Sequence, residues 1–252
     1  MTVFTSDLDN TLIYSYKHEI GTQKRNVELY QGREISFITE KTYSLLKEVN
    51  SRCLFAPVTT RSIEQYKRID FGIGPVKYAL ACNGGVLLVN GEKDLAWYKD
   101  SLELVKPCLE EIKKGIAFLE NEPARFFEIR FIEDLFVFTK CHDPLVILKK
   151  LKDRLDLSLV SVFNNGEKIY ILPAAMDKGL AVRRFREYIK AQRIISAGDS
   201  EFDIPLLENS DIGLIPADFI WDLNCSGNQI FKNKEDVLFS EFVLENVLKH
   251  II

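Results

Sequence analysis

Five short apolar runs occur along this chain, and four of them stop at polar or acidic residues. Val3 to Ser6 runs into Asp7-Leu8-Asp9-Asn10-Thr11, and Leu54 to Val58 into Thr59-Thr60-Arg61. Tyr78 to Cys82 runs into Asn83-Gly84-Gly85, Arg193 to Ala197 into Gly198-Asp199-Ser200, and Asp211 to Ile215 completes the set. Continuously apolar runs suit strands buried on both faces of a parallel sheet. Polar residues gathered just past the strand ends fit an open α/β sheet, whose ligands bind beyond the carboxyl ends of its strands. The predicted core is therefore α/β, a Rossmann-like parallel sheet, with Glu40 to Ser51 as an amphipathic helix carrying Tyr43, Leu46 and Val49 on one side.

The middle of the chain has a different texture. Leu102 to Glu120 and Pro144 to Leu155 have helical spacing. Arg125 to Lys140 and Leu159 to Leu172 resemble paired strands, with turns at Glu133-Asp134 and at Asn164-Asn165-Gly166, an Asn-Gly hairpin signal. Helix then paired strands, twice over, predicts an α+β domain inserted at residues 86–173, with residues 1–85 and 174–252 forming a discontinuous α/β core. Asn233 to Ile252 is expected to be a helix packing back on that core, with a dimer interface as the alternative role.

Bulk properties exclude several classes. The 252 residues carry a net charge of −4, which disfavours a nucleic-acid binder held by general phosphate attraction. No stretch approaches the roughly 18 apolar residues of a membrane span. The cysteines, Cys53, Cys82, Cys108, Cys141 and Cys225, include no CxxC pair, which disfavours a zinc site. Their odd number fits a reducing cytoplasm better than a disulfide scaffold.

The first strand end carries two carboxylates, Asp7 and Asp9. An acidic turn explains such a pair equally well by itself, but other features add weight. Thr59 ends the second run, Lys178 opens a helix, and Asp199 and Asp203 follow a later strand. Convergence of these ends would gather the carboxylates of Asp7, Asp9, Asp199 and Asp203 around one ammonium and one hydroxyl. So many carboxylates repel in a low-dielectric cleft, and a hard divalent cation such as Mg²⁺ relieves that repulsion. In such a site Asp7 is a candidate nucleophile toward phosphorus, and Asp9 a candidate acid and base. Lys178 and Thr59 are candidate phosphate-binding groups. Thr60 rivals Thr59 for the hydroxyl role, and Asp203 fits either a metal ligand or a helix-start carboxylate. Arg125, Arg130 and Lys140 in the insert fit a solvated face better than an anion site.

In order and position these segments resemble the motifs of the haloacid dehalogenase superfamily, whose members are mostly phosphatases, and in particular the subgroup with a type IIB cap. Asp7-Leu8-Asp9-Asn10-Thr11 matches its DxDxT motif. Thr59-Thr60-Arg61 matches Thr-Gly-Arg with Thr60 for Gly, and Asp177-Lys178-Gly179 matches the Lys-Gly helix start. Gly198-Asp199-Ser200-Glu201-Phe202-Asp203 matches Gly-Asp-Ser-x-Asn-Asp with Phe202 for Asn. The resemblance implies Mg²⁺-dependent hydrolysis of a small phosphate monoester, a sugar phosphate among the candidates, through an aspartyl-phosphate on Asp7. It also implies a cap that closes over the sheet edge; separately, a cytoplasmic location and a monomer or homodimer are expected. A sugar phosphomutase and a catalytically silent small-molecule-binding module are the alternatives. The intact set of Asp7, Asp9, Lys178 and Asp199 disfavours the silent module.

Overall fold

The computed structural model describes residues 1–224 and 227–251, so Cys225 and Ile252 lie outside the described residues. Two compact units are present, one formed by Met1–Asp94 with Asp177–Ile252 and the other by Leu95–Met176.

The larger unit is built on a parallel sheet of five strands. Their order is Gln229–Lys232, Ile212–Ile215, Arg193–Ala197, Thr2–Ser6 and Leu54–Pro57. Alternate side chains of these strands face opposite layers. Phe4, Phe55, Ile195 and Leu214 pack with Leu46 and Val49 of the helix Glu40–Arg52 and with Val243 and Val247 of the helix Phe239–His250. Val3 and Ile194 point the other way and are also buried, so both sheet faces are covered. Ser6 is paired with Ala197 on one side and Pro57 on the other, so three strands end level. Asp7, Val58 and Gly198 therefore leave the sheet at one edge.

The α/β expectation holds, with two differences in detail. Tyr78–Ala81 is a strand, but it pairs antiparallel with Val86–Val89, which in turn pairs with Glu92–Lys93. It meets the parallel sheet only through a bridge between Val58 and Leu80. The Gln229–Lys232 strand, flanked by polar residues, was not among the expected runs. A further antiparallel sheet, ordered Tyr14–Ser15, Arg33–Thr39 and Lys24–Tyr30, lies in the chain between the Asp7 loop and the first long helix. Its pairing slips on either side of Glu28, a β-bulge that breaks the in–out alternation.

The smaller unit pairs three helices with an antiparallel sheet ordered Val160–Asn165, Lys168–Pro173, Phe136–Lys140 and Arg130–Ile132. The helical stretch expected from Leu102 is two helices, Leu95–Val105 and Leu109–Glu120, joined by a 3₁₀ turn at Lys106–Cys108. Pro107, lacking an N–H, cannot continue the first helix. The third helix spans Pro144–Lys152. The division between the units falls at Asp94 and Asp177, against the expected 85 and 174. Residues 86–93 stay with the larger unit because they form the hairpin with Tyr78–Ala81.

Candidate active site

Lys178 is the first residue of the helix Lys178–Ile189, whose N-cap Asp177 accepts a hydrogen bond from the Leu180 N–H at 2.7 Å. Although only 1% exposed, its ammonium donates to Asp7 Oδ1 at 2.6 Å and to Asp203 Oδ1 at 2.5 Å. Burial alone would weaken its hold on the proton, but Asp203 and Asp7 outweigh burial and its pKa is raised. Gly179 permits this approach: a Cβ there would lie 2.6 Å from the Pro205 carbonyl of the helix Ile204–Glu208. Gly198 is needed in the same way, since its Cβ would fall 2.2 Å from that of Asp203.

Asp203 is fully buried and saturated with donors. Its Oδ2 accepts from the N–H groups of Asp199 and Ser200 at 3.1 and 3.0 Å, and from the Ser200 hydroxyl at 2.9 Å. It thus ties the Gly198–Ser200 loop to Lys178. Asp199 accepts from the Thr11 hydroxyl at 3.0 Å.

One ligand atom each from Asp7, Asp199 and Asp203 lies within 4.8 Å of the others. Three carboxylates around one ammonium leave a net charge of −2. The consequence is visible in proton affinity. Burial, opposed by Lys178 and reinforced by Asp203 and Asp9, pushes the pKa of Asp7 up to about 7. Burial, reinforced by Asp203 and Asp7, pushes that of Asp199 up to about 8. Hard oxygen donors with excess negative charge fit a divalent cation of the Mg²⁺ type.

Asp9 is placed differently from the expected ligand set. Its side chain is 49% exposed, and its two oxygens accept from Arg61, at 2.8 Å from Nε and 2.7 Å from Nη2. Arg61 Nη1 reaches Glu28 Oε1 at 2.9 Å. Burial opposes the Arg61 charge, but Asp9 and Glu28 outweigh it and raise its pKa. Thr59 is fully buried, and its hydroxyl accepts from the Arg61 N–H at 3.2 Å. Thr60, its rival, is half-buried.

The structure thus brings Asp7, Asp199, Asp203 and Lys178 together directly, and joins Asp9 to Thr59 through Arg61. Sequence reasoning gave Arg61 no role, although its place at the end of Thr59-Thr60-Arg61 was the available signal. Glu28 offered none, since an acidic residue in a polar hairpin reads as solvated. In the smaller unit, Arg125 donates to the carbonyls of Leu119 and Phe127 at 2.9 and 2.7 Å and so serves the local fold. Arg130 and Lys140 sit over the Phe127 ring, at 5.0 and 5.3 Å from its centroid.

The larger unit thus carries acidic loops at one edge of a parallel sheet, with the α+β unit inserted in the chain between its two segments. Residues 118–218, which include Lys178, Asp199 and Asp203, match the family model described as haloacid dehalogenase-like hydrolase. A phosphoglycolate phosphatase of Methanopyrus kandleri is 24% identical over 186 residues, covering 70% of this chain and 75% of that protein. Phosphoglycolate phosphatase 2 of Saccharolobus solfataricus is 27% identical over 176 residues, covering 69% of each. Among solved structures, the sucrose-phosphatase of Synechocystis sp. PCC6803, in complex with sucrose and phosphate, superimposes with a TM-score of 0.66 at 18% identity, over 98% of this chain and 96% of that one. A haloacid dehalogenase-like hydrolase from B. subtilis matches all of both chains with a TM-score of 0.64 at 11% identity. Over the matched residues the chain is similar to the haloacid dehalogenase-like hydrolases. Among the described residues no helix is long and apolar enough to cross a membrane.

Proposed function

We propose that the protein is a Mg²⁺-dependent phosphatase acting on a small organic phosphate monoester, with Asp7 as its nucleophile. The observation that carries this reading is the buried Asp7–Lys178–Asp203 array beside Asp199. A carboxylate paired with a buried ammonium is held in one orientation, and the ammonium opposes the protonation that burial favours, as attack on phosphorus requires. The names of the two phosphoglycolate phosphatases and of the sucrose-phosphatase support a phosphorylated small molecule as the substrate class.

In this account an Asp7 oxygen attacks phosphorus, the ester P–O bond breaks, and the departing oxygen takes a proton from Asp9. Water then attacks the aspartyl-phosphate, Asp9 takes a proton from that water, and phosphate leaves as the Asp7 carboxylate is restored. Each Asp9 oxygen accepts one bond from Arg61, which holds the carboxylate in one orientation for these transfers. Lys178 stabilises the charge of the transferring group, and the Thr59 hydroxyl holds one of its oxygens. Asp7 and Asp199 would hold Mg²⁺, which when bound supplies charge neutralisation. Asp203, with both oxygens engaged, would shape the site through Lys178 and the Gly198–Ser200 loop.

The test is inorganic phosphate release from a panel of phosphate monoesters, with Mg²⁺ and with EDTA. Release is expected with the metal, not with EDTA, and not by Asp7→Asn. Undiminished turnover by Asp7→Asn would remove the nucleophile assignment. Interconversion of sugar-phosphate isomers without phosphate accumulation would favour the mutase alternative.

A further inference from the structure

Glu28 belongs to none of the motifs discussed above, yet it is a carboxylate only 1% exposed on a three-stranded antiparallel sheet. Its Oε2 accepts from the Ser36 hydroxyl at 2.6 Å. Its Oε1 accepts from Arg61 Nη1 at 2.9 Å and from Arg68 Nε and Nη2, both at 3.1 Å. Removing a carboxylate from water is costly unless it is paired and hydrogen-bonded. The bulge nevertheless turns Glu28 inward and leaves the neighbouring Leu29 58% exposed. Plain alternation after the buried Val27 would have given the reverse.

The two arginines that share Glu28 differ in what else they touch. Arg68 lies over the Tyr30 ring at 4.4 Å, on the same sheet. Arg61 commits its remaining edge, Nε and Nη2, to both oxygens of Asp9. A guanidinium is a rigid planar fork, so pinning Nη1 on Glu28 fixes the direction in which the opposite edge points. Three side chains from three segments thereby form one line: Glu28 on the bulge, Arg61 past the Leu54–Pro57 strand, and Asp9 past the Thr2–Ser6 strand.

We propose that Glu28 is a positioning residue, which through Arg61 sets the orientation of the Asp9 carboxylate for proton transfer to the leaving group. This role rests on the phosphatase reading above. A purely structural Glu28 would balance Arg61 and Arg68 and would influence every substrate equally. A positioning Glu28 matters most where the leaving oxygen needs a proton. Alkyl phosphates need it, and p-nitrophenyl phosphate, with its stabilised phenolate, needs it little.

The experiment measures kcat and KM of Glu28→Gln for both kinds of substrate, in the full chain with Mg²⁺, after wild-type phosphate release has been established. Expected is a fall of about tenfold in kcat/KM, which reports the first phosphoryl transfer, for an alkyl phosphate, a fraction of the 10²–10⁴ a general acid contributes. For p-nitrophenyl phosphate kcat/KM should change by less than about twofold, whatever kcat does through the later water step, and inhibition by free phosphate should not change. In an Asp9→Asn background Glu28→Gln should have no further effect on kcat. Arg61→Lys keeps the charge, loses the fork and should reproduce the leaving-group pattern even if Glu28→Gln fails to fold. Arg68→Gln touches Glu28 but not Asp9 and should not reproduce it. An equal fall for both substrates, a full Glu28→Gln effect in the Asp9→Asn background, or a wild-type pattern in Arg61→Lys would overturn the role. Absence of phosphate release by the unmodified protein would instead overturn the phosphatase reading itself, before any variant is made.

Discussion

Lys178 lies between two buried carboxylates, so its removal strands both. Replacing one partner of a buried ionic network costs roughly 3–5 kcal/mol, because the charges left behind have lost their compensation. Lys178→Met should therefore lower the unfolding free energy of the metal-free protein by about 3 kcal/mol at pH 8, measured by urea denaturation. At pH 5 the loss should be smaller, since Asp7, whose pKa lies at about 7, is then protonated and has less need of the ammonium. An equal loss at both pH values would mean that packing of the Lys178 stem, and not its charge, supports the fold. The neighbouring side chains also show where sequence reading reached its limit. Asp7, Thr59 and Asp199 were legible because each follows an apolar run whose end marks the sheet edge. The separate placement of Asp9 was not, because only the folded chain brings Arg61 to it across 52 residues.

At the scale of elements, two helix N-termini allow a clean comparison. Asp177 caps the helix that opens with Lys178, and Thr39 caps Glu40–Arg52, where its hydroxyl accepts from the Thr42 N–H at 2.9 Å. Loss of either cap costs about 1 kcal/mol. Asp177→Ala and Thr39→Ala should therefore lose similar stability in thermal melts. Only Asp177→Ala should also lose turnover, by several-fold, because the freed first turn carries Lys178. Equal activity of the two variants would show that the Lys178 position does not depend on its cap. The parallel strands were readable from apolar runs alone, but the sheet containing Lys24–Tyr30 was not. Its bulge buries Val27 and Glu28 in succession, a pattern that no period-two reading of Lys24 to Tyr30 produces. The compact units divide at Asp94, beyond the expected residue 85, for a related reason. Val86 to Lys93 returns as a hairpin on Tyr78–Ala81, and pairing partners are not written in local spacing.

At the scale of the molecule, the acidic cluster ties stability to pH and to metal. Without a cation, Asp7 and Asp199 have pKa values of about 7 and about 8 in the folded protein, above the ordinary 3.8. Between the ordinary and the raised values the folded chain holds protons that the unfolded chain has released. Stability is then fully present below the ordinary pKa and is lost as pH rises through the raised ones. In EDTA the melting temperature should fall from pH 5 to pH 8, and Asp199→Asn should flatten that slope. Mg²⁺ should raise the melting temperature more at pH 8 than at pH 5, because it binds the ionised carboxylates. A metal-free melting temperature that rises toward pH 8 would contradict the proposed charge balance.

Covalent capture at Asp7 tests the central claim most directly. Asp9→Asn lacks the group that activates water in the second step, so acid quenching during its turnover of an activated aryl phosphate should trap the intermediate. Mass spectrometry of the digested protein should place one phosphoryl group on the peptide containing Asp7, and none when Asp7→Asn is added. Phosphate release from the wild type, with no phosphoryl adduct on that peptide at any quench time in either protein, would contradict the account.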